Sequence, residues 1–508
     1  MGRFYLTTAI DYSNGEPHLG HAVEKVGADV IARYRRACGD DVHFLMGMDE
    51  HGQKVAQEAE AHGATPRAWV DRIAASFEDA WARLRISHDD FIRTSEERHH
   101  RGNAALMERI RERGDFYPSK YEGYYCAGCE AFKKEDELEG GQCPLHPNRE
   151  IEWTEEENWF FRLSAYEDQL LDLLRERPEF VRPPARRNEI ARLIERGLED
   201  ISASRSRIRW GVPFPGDESH TVYVWFDALS NYITAIGFPG GEAFDRWWPA
   251  DLHIIGKDIT RFHCVYWPAM LMAAGVEPPK SVWAHGFINV GGAKLSKSAG
   301  TDLDLYELID RHGEDALRYF LVREVPWDGD RDFASVTDFI EQFDQRYTAD
   351  LANDLGNLLN RVVSMVGKYR DGRVRVPGEG ELSAAAGETL GRYREAMEAY
   401  RLHAGAAVAF ELVRAANGFV DDRQPWALAK AEKDGAGSDA LDGVLGQLVE
   451  ALGCVAAMLA PFIPGKAAEL WGTLGGEGDP PGFSELEAAL AALERVRPGP
   501  VLFPRPDP

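Results

Sequence analysis

The sequence predicts an α/β chain whose parallel sheet is divided by a cysteine-bearing insert and followed by an all-α bundle. Three observations predict it. First, residues 4–10 read as a buried strand, Tyr12 to Pro17 as a turn, and Val23, Val26, Val30 and Tyr34, spaced 3, 4 and 4, as one face of a helix. That helix should end at Cys38-Gly39, and residues 42–46 supply a second apolar strand, so the unit is βαβ and the sheet parallel, a Rossmann-like start. Second, after a helical stretch over 66–113, residues 121–153 turn aromatic, glycine-rich and cysteine-bearing, which marks an inserted module. The α/β pattern then returns with 221–226 and 252–256, both read as compact apolar strands. Third, from about Asp338 strands give way to helical periods such as Leu351, Leu355, Leu358 and Val362, spaced 4, 3 and 4. The Gly-, Pro- and acid-rich stretches 371–380, 433–438 and 475–482 read as loops between the helices of that bundle.

Composition bounds the function. The 508 residues carry 58 Lys and Arg against 84 Asp and Glu, a formal charge of −26, with 44% hydrophobic and 28% charged residues. At roughly 150 residues per domain, about three domains are expected, each with its own core. The longest uninterrupted apolar run, 451–463, has 13 residues, short of the roughly 20 that span a bilayer, so no membrane partner is expected. The N-terminus runs straight into a strand without an apolar signal core, which predicts a cytoplasmic protein. Long-range repulsion opposes nonspecific binding of polyanions such as DNA, while a nucleic-acid partner held by a local basic surface stays compatible with the charge. Six cysteines are too few for a disulfide scaffold, and three of them fall within 18 positions.

Those three belong to Cys126-x2-Cys129-x13-Cys143-x2-His146. Two short-spaced ligand pairs are what a tetrahedral ion needs from two turns, and three thiolates plus one imidazole close a structural zinc site with no open position. A redox Cys-x2-Cys is the alternative, but it would not require the second pair. A second constellation, His18-Leu19-Gly20-His21, lies between a strand and the N-terminus of a helix. Backbone N–H groups and the helix dipole there favour phosphate, Gly20 permits close approach, and the imidazoles donate to phosphate oxygens. A pair of solvated or helix-capping histidines would give the same tetrapeptide. A third, Lys294-Leu295-Ser296-Lys297-Ser298, is preceded by Gly291-Gly292 and followed by Gly300. Its two ammonium groups, on a loop free to close over a triphosphate, would neutralise charge developing on a departing pyrophosphate. An ordinary solvated loop is the other reading.

A histidine motif early in a split nucleotide fold, followed about 270 residues later by a lysine-serine loop, resembles the class I aminoacyl-tRNA synthetases, whose signatures are written HIGH and KMSKS. Leucine replaces the middle apolar residue of both. Thr7-Thr8-Ala9-Ile10-Asp11-Tyr12-Ser13-Asn14-Gly15, Gly47-Met48-Asp49-Glu50-His51-Gly52, Tyr223-Val224-Trp225-Phe226-Asp227-Ala228 and Gly256-Lys257-Asp258-Ile259 narrow the resemblance to the methionyl-tRNA synthetase family over nearly the whole chain. One departure is Asp11, where the family commonly carries an uncharged residue such as proline. The local strand exit is expected to differ there.

The resemblance implies these boundaries: a catalytic Rossmann-like domain over 1–115 and 216–290, a connective insert with a zinc knuckle over 116–215, the lysine-serine loop and junction over 291–345, and an α-helical anticodon-binding domain over 346–508. It implies a methionine pocket of Ile10, Tyr12, Trp225, Ala228, Leu229, Tyr232, Ile259 and His263, with Asp49 taking the substrate ammonium and Arg205 as a nearby polar partner. Aromatic walls suit an unbranched thioether, and a carboxylate anchors the amine; core packing is the competing role for Trp225, Ile259 and His263, and helix capping for Asp49. ATP would be held by His18, Gly20, His21, Gly256, Asp258, Lys294 and Lys297, and magnesium would accompany it. His18, His21, Lys294 and Lys297 are the catalytic set.

In the helical part, Asn357 and Arg361, spaced i, i+4, share a flank outside the apolar stripe. Asn417-Gly418-Phe419-Val420 and Pro425-Trp426 follow on another helix and resemble the family's anticodon-reading surface, with Trp426 as the stacking residue. Packing of Trp426 between helices is the alternative. The reaction implied is ATP-dependent activation of methionine to methionyl adenylate and its transfer to the terminal adenosine of initiator and elongator methionine tRNAs. Two competitors stand beside it: a class I synthetase of the valine, isoleucine or leucine group, for whose editing domain an insert of about 100 residues is too short, and a catalytically idle tRNA-binding paralogue, against which the intact signatures speak. With no β-rich dimerisation domain after the bundle, a monomer is expected.

Overall fold

The computed structural model describes residues 2–126, 131–133, 135–144, 151–294, 303–435 and 437–505. Strand β1 (Arg3–Thr8) leads through the two-residue β2 (Asp11–Tyr12) to helix α1 (Leu19–Ala37) and strand β3 (Asp41–Asp49). Alternation places Phe4, Leu6, Phe44 and Met46 in one core with the buried face of α1, and Tyr5 and Leu45 in a second core behind the sheet. Both faces are therefore covered, as a parallel sheet requires. Helix α1 closes at Cys38, with Arg35 and Arg36 in its last turn, and Gly39 takes the left-handed turn at φ +88°.

The stretch 66–113 is two helices, Pro66–Arg83 and Glu97–Glu112, separated by β4 (Asp90–Arg93), which pairs with β3. Only Ile92 of β4 is buried, so no apolar alternation announced it; pairing with β3 makes the strand. The insert opens with β5 (Phe116–Cys126), β6 (Ala131–Lys133) and β7 (Ile151–Phe161) in an antiparallel sheet. The next strand, β8 (Val181–Arg182), leaves that sheet and pairs in parallel with the main one, so the segment 116–215 is not a single module in space. Then β9 (Ile201–Ser202) returns to β7, and β10 (Ser204–Arg205), β11 (Pro213–Phe214) and β12 (Asp217–Val222) form a small sheet in the order β10-β12-β11.

The expected strand over 221–226 is corrected by the structure. β12 ends at Val222, and Val224–Ala228 is a short helix. Six residues are too few for period to separate strand from helix. The helical turn drives Phe226 between Phe116 and Phe161, at centroid distances of 6.2 and 5.5 Å. β13 (Leu252–Gly256) and β14 (Val282–His285) complete the main sheet in the order β2-β3-β1-β13-β14-β8, with β4 on β3 and every pair parallel. β1 is flanked by β3 on one side and β13 on the other, and at such a reversal of strand order the crevice at the carboxyl ends is where ligands bind. Beyond it, β15 (Ile288–Val290), β16 (Ala293–Lys294) and β17 (Arg331–Phe333) make a three-stranded sheet.

The C-terminal part is a helical bundle. Leu351, Leu355, Leu358 and Val362 are all buried, on a π-helical stretch Tyr347–Gly356 that continues into the helix Asn357–Arg370. The helix Asp439–Leu459 is long and apolar enough by composition to cross a membrane, and here it is the buried centre of the bundle. Bundle and sheet meet at Arg318, on the helix Glu314–Glu324, which is wholly buried. Its guanidinium donates to Asp29 Oδ2 of α1 at 2.6 Å, to the Leu84 carbonyl at 2.9 Å, and to the Pro461 and Phe462 carbonyls of the bundle at 2.8 and 3.1 Å.

Candidate functional site

The crevice is built from the N-terminus of α1 upward. His18 is the N-cap, extended at φ −142°; its Nδ1 accepts from the Gly20 N–H at 3.1 Å, while His21 Nδ1 accepts from the His18 N–H at 3.2 Å. The rings stack 3.7 Å apart. With Nδ1 accepting in both, Nε2 is the nitrogen through which each ring can donate, and the pair stands at a helix N-terminus, where the dipole favours an anion. Gly20 serves the same arrangement, since a Cβ there would lie 3.0 Å from Cε1 of His18. Helix capping and phosphate binding are thus compatible roles, not competing ones.

At the carboxyl end of β13, Gly256 leads into a turn carrying Asp258, and a Cβ on Gly256 would come within 2.8 Å of Asp258 Oδ1. Lys257 is held away by Asp330 at 2.5 Å. Gly291 and Gly292 both have positive φ, +62° and +78°, the geometry of a two-residue hairpin turn, and this turn pairs Lys294 with Asn289. Lys294 therefore ends a tight hairpin. Lys297 lies outside the described residues.

The expected methionine pocket comes together around aromatic rings. Trp225 stacks on Phe262 at 3.6 Å and meets His263 edge-on at 6.4 Å. The Tyr232 hydroxyl lies 2.7 Å from His263 Nε2, and His263 Nδ1 lies 3.0 Å from the Ile259 carbonyl. His263 Nδ1–H therefore donates to that carbonyl, and its Nε2 accepts from tyrosine. Burial pushes the imidazole down to about 4, so it is neutral at physiological pH. Ala228 and Leu229 are buried at the end of the Trp225 helix. Across the crevice, β2 pairs with β3 so that Tyr12 stands opposite Asp49, whose carbonyl accepts from Ser13 N–H and Oγ–H, both at 2.9 Å. Ile10 reaches over β3 at Gly47, where a Cβ would lie 3.0 Å from its methyl.

Arg205 is held by its own neighbours. Its Nη1 donates to Ser202 Oγ at 2.8 Å and the Ser204 carbonyl at 2.9 Å, and its guanidinium lies 4.0 Å over the Tyr223 ring. It lines a small cavity with His51, Trp210 and Tyr223.

Sequence reasoning missed a buried relay beside that cavity. Asp227 Oδ2 lies 2.6 Å from His51 Nδ1, Asp227 Oδ1 lies 2.8 Å from His99 Nε2, and His99 Nδ1 lies 2.9 Å from Thr234 Oγ1. The paired imidazoles hold the Asp227 carboxyl well below the usual carboxylate range in spite of its burial. The relay ties the Asp49-Glu50-His51 strand exit to the Trp225 helix. Its signal was present, since both segments had been singled out, but only Asp49, Trp225 and Ala228 were drawn from them.

Of the four expected zinc ligands, Cys126 ends β5 and Cys143 follows the reversal that pairs Glu139 with Gln142; both are fully buried. Cys129 and His146 lie outside the described residues, and among the described residues no group of three or more metal-binding side chains converges. Buried thiols at two reversals of chain fit a donor set for zinc. On the bundle, Asn357 is exposed, Arg361 Nη2 contacts Asp421 Oδ1 at 2.7 Å, and Trp426 is 46% exposed. Asn417 and Trp426 do not share a helix, because the chain breaks at Gln424 (φ +44°), and Asn417 is spent on the Asp354 and Val413 carbonyls at 3.1 and 3.2 Å.

The chain matches the family model of class I tRNA synthetases (M) over residues 4–151 and 146–363. It is 44% identical over 514 residues to the methionine–tRNA ligase of Brucella suis, covering 99% of this chain and 98% of that one, and 44% identical over 484 residues to that of Thermosynechococcus vestitus, covering 93% and 90%. A crystal structure of Mycobacterium tuberculosis methionyl-tRNA synthetase bound by methionyl-adenylate superposes with a TM-score of 0.93 at 40% identity, covering 99% of this chain and all of that one.

Proposed function

Because the chain belongs to the class I tRNA synthetases of the methionine type, we propose that its crevice activates methionine with ATP to methionyl adenylate and transfers the methionyl group to the terminal adenosine of methionine tRNA. What supports the reading is that the stacked His18–His21 pair opens the helix that follows β1 and β2, while His263 of the Trp225–Tyr232–His263 cluster follows β13, the strand paired with β1, in a chain similar end to end to methionine–tRNA ligases. ATP–pyrophosphate exchange with a panel of amino acids tests it. Methionine alone should support exchange; activity with valine, isoleucine or leucine instead, or no exchange at all, would overturn it.

The substrate carboxylate attacks the α-phosphorus, and pyrophosphate leaves. The protein's part is positioning and charge stabilisation. Nε2–H of His18 and His21 would donate to phosphate oxygens as charge builds, with Gly256 and Asp258 flanking the nucleotide, and Lys294 and Lys297 would meet the departing pyrophosphate, with magnesium accompanying ATP. Asp49 would take the methionine ammonium. A neutral His263, already saturated by Tyr232 and Ile259, offers the thioether a wall without a charge, which suits an apolar sulfur. Arg205 acts on the pocket through Tyr223 and the cavity beside it.

At the other end, Asn357, Arg361 and Trp426 would read anticodon bases. An exposed indole is available to stack, so Trp426→Ala should lose about 1 to 3 kcal/mol of tRNA recognition. Aminoacylation should fall while tRNA-independent exchange survives; equal losses in both would make Trp426 a packing residue. Cys126, Cys129, Cys143 and His146 would hold one zinc ion that folds the insert. Cys126→Ser should therefore abolish stoichiometric zinc, measured by elemental analysis, and expose the β5–β7 sheet to limited proteolysis. Full zinc content in that variant would remove Cys126 from the ligand set. The chain is proposed to act as a cytoplasmic monomer, and light scattering at twice the chain mass would contradict that state.

A further inference from the structure

Asp11, the position where the sequence departs from its family's habit, has a partner that explains it. It sits on β2 beside the fully buried Lys25 of α1, whose three N–H groups meet three acceptors: the Ala9 carbonyl at 2.7 Å, Asp11 Oδ1 at 3.0 Å and Glu24 Oε1 at 2.7 Å. Glu24 uses its other oxygen on His285 Nε2 at 3.1 Å, and His285 Nδ1 lies 2.7 Å from the Gly286 carbonyl. Oxygen atoms thus stand at both ring nitrogens of His285. Asp11, Glu24, Lys25 and His285 form one buried polar cluster.

Stability alone is a poor reason for such a cluster, because buried ion pairs are often matched or bettered by apolar side chains. Geometry is a better one. β2 is only two residues long and cannot hold its own place, yet it carries Tyr12 opposite Asp49. Lys25 grips the chain on both sides of Ile10, at the Ala9 carbonyl and the Asp11 carboxyl. Lys25 is also two helical turns beyond His18 on α1, and through Glu24 and His285 the cluster reaches the end of β14, whose chain runs on into the hairpin of Lys294.

We propose that Lys25 is a positioning residue whose ammonium, clamped on Ala9 and Asp11, sets the Ile10–Tyr12 wall of the methionine pocket against the histidine pair at the start of α1, and that Asp11 is present to complete this clamp. Burial raises the Asp11 carboxyl to about 7 against the pull of Lys25, with Glu24 adding to the rise. Oδ1 accepts from Lys25 in either protonation state, so the clamp does not depend on Asp11 being charged. The inference rests on the methionine pocket proposed above.

Steady-state pyrophosphate exchange tests it. Asp11→Ala should raise KM for methionine at least about tenfold and leave KM for ATP within about threefold, whereas Asp11→Asn, which keeps the acceptor, should stay within about threefold of the parent in both. A variant that is merely less stable lowers the active fraction, hence apparent kcat, and leaves both KM values in place. Should Asp11→Ala fail to fold, the double variant Asp11→Asn/Lys25→Met, in which the Glu24–His285 contact is kept, should show the same rise for methionine. An unchanged methionine KM in either folded variant overturns the clamp. Trp225→Ala separates the two readings: if it raises methionine KM while Asp11→Ala does not, only the clamp fails, and if neither does, the pocket itself is misplaced.

Discussion

Lys297→Ala is expected to slow pyrophosphate exchange by about 10² to 10³-fold, the loss found when one preorganised donor to a developing anion is removed. The effect belongs in kcat. Charge accumulates on pyrophosphate only as the bond to the α-phosphorus breaks, so an ammonium that meets it there stabilises the transition state and not the bound methionine. The Gly291-Gly292 turn pairs Lys294 with Asn289, while the proposed amino-acid pocket is built from other elements, around Trp225 and His263. KM for methionine should therefore stay within about twofold. A variant with full exchange activity and weakened methionine affinity would assign the loop to the amino-acid pocket instead.

Asp227→Ala should be the most damaging change to the fold. It leaves His51 and His99 facing a void where their shared acceptor stood, and breaking a buried pair by deleting one partner costs about 3 to 5 kcal/mol. Denaturant unfolding would read that loss. The pH dependence follows from the carboxyl's lowered folded value: the folded state holds fewer protons on Asp227 than the unfolded chain, so its contribution is complete above the ordinary carboxylate range and is lost as pH falls through and below it. The variant should accordingly show a flatter acid limb than the parent. Asp227→Asn, which keeps an oxygen for one imidazole, should lose less. Equal stability of Asp227→Ala and parent would mean the relay contributes nothing.

What could be read from the sequence divides along physical lines. The βαβ start and the bundle stripe were legible because each is strongly periodic, and all four stripe residues are buried as expected. The short runs 252–256 and 221–226 have too little period to measure; the first is a strand, the second a strand only to Val222, and β4 was hidden because only Ile92 of its four residues is buried. Side-chain partnerships were hardest. His51 and His99 meet Asp227 across 176 and 128 positions of chain, and Lys25 on α1 meets Asp11 from β2. Arg205 was another case: only the structure shows its hydrogen bonds to Ser202 and Ser204 and its place over the Tyr223 ring.

Arg318 bears on how the molecule can be divided. Cutting the chain before the bundle would delete the Pro461 and Phe462 carbonyls and leave a guanidinium and Asp29 half-solvated at a raw surface, with the far end of α1 loosened. An isolated sheet fragment would therefore be a damaged enzyme and not a minimal one. If Trp426 reads an anticodon base as proposed, the same bolt would tie that contact to the helix that carries His18, and loosening Arg318 should then cost aminoacylation more than tRNA-independent exchange.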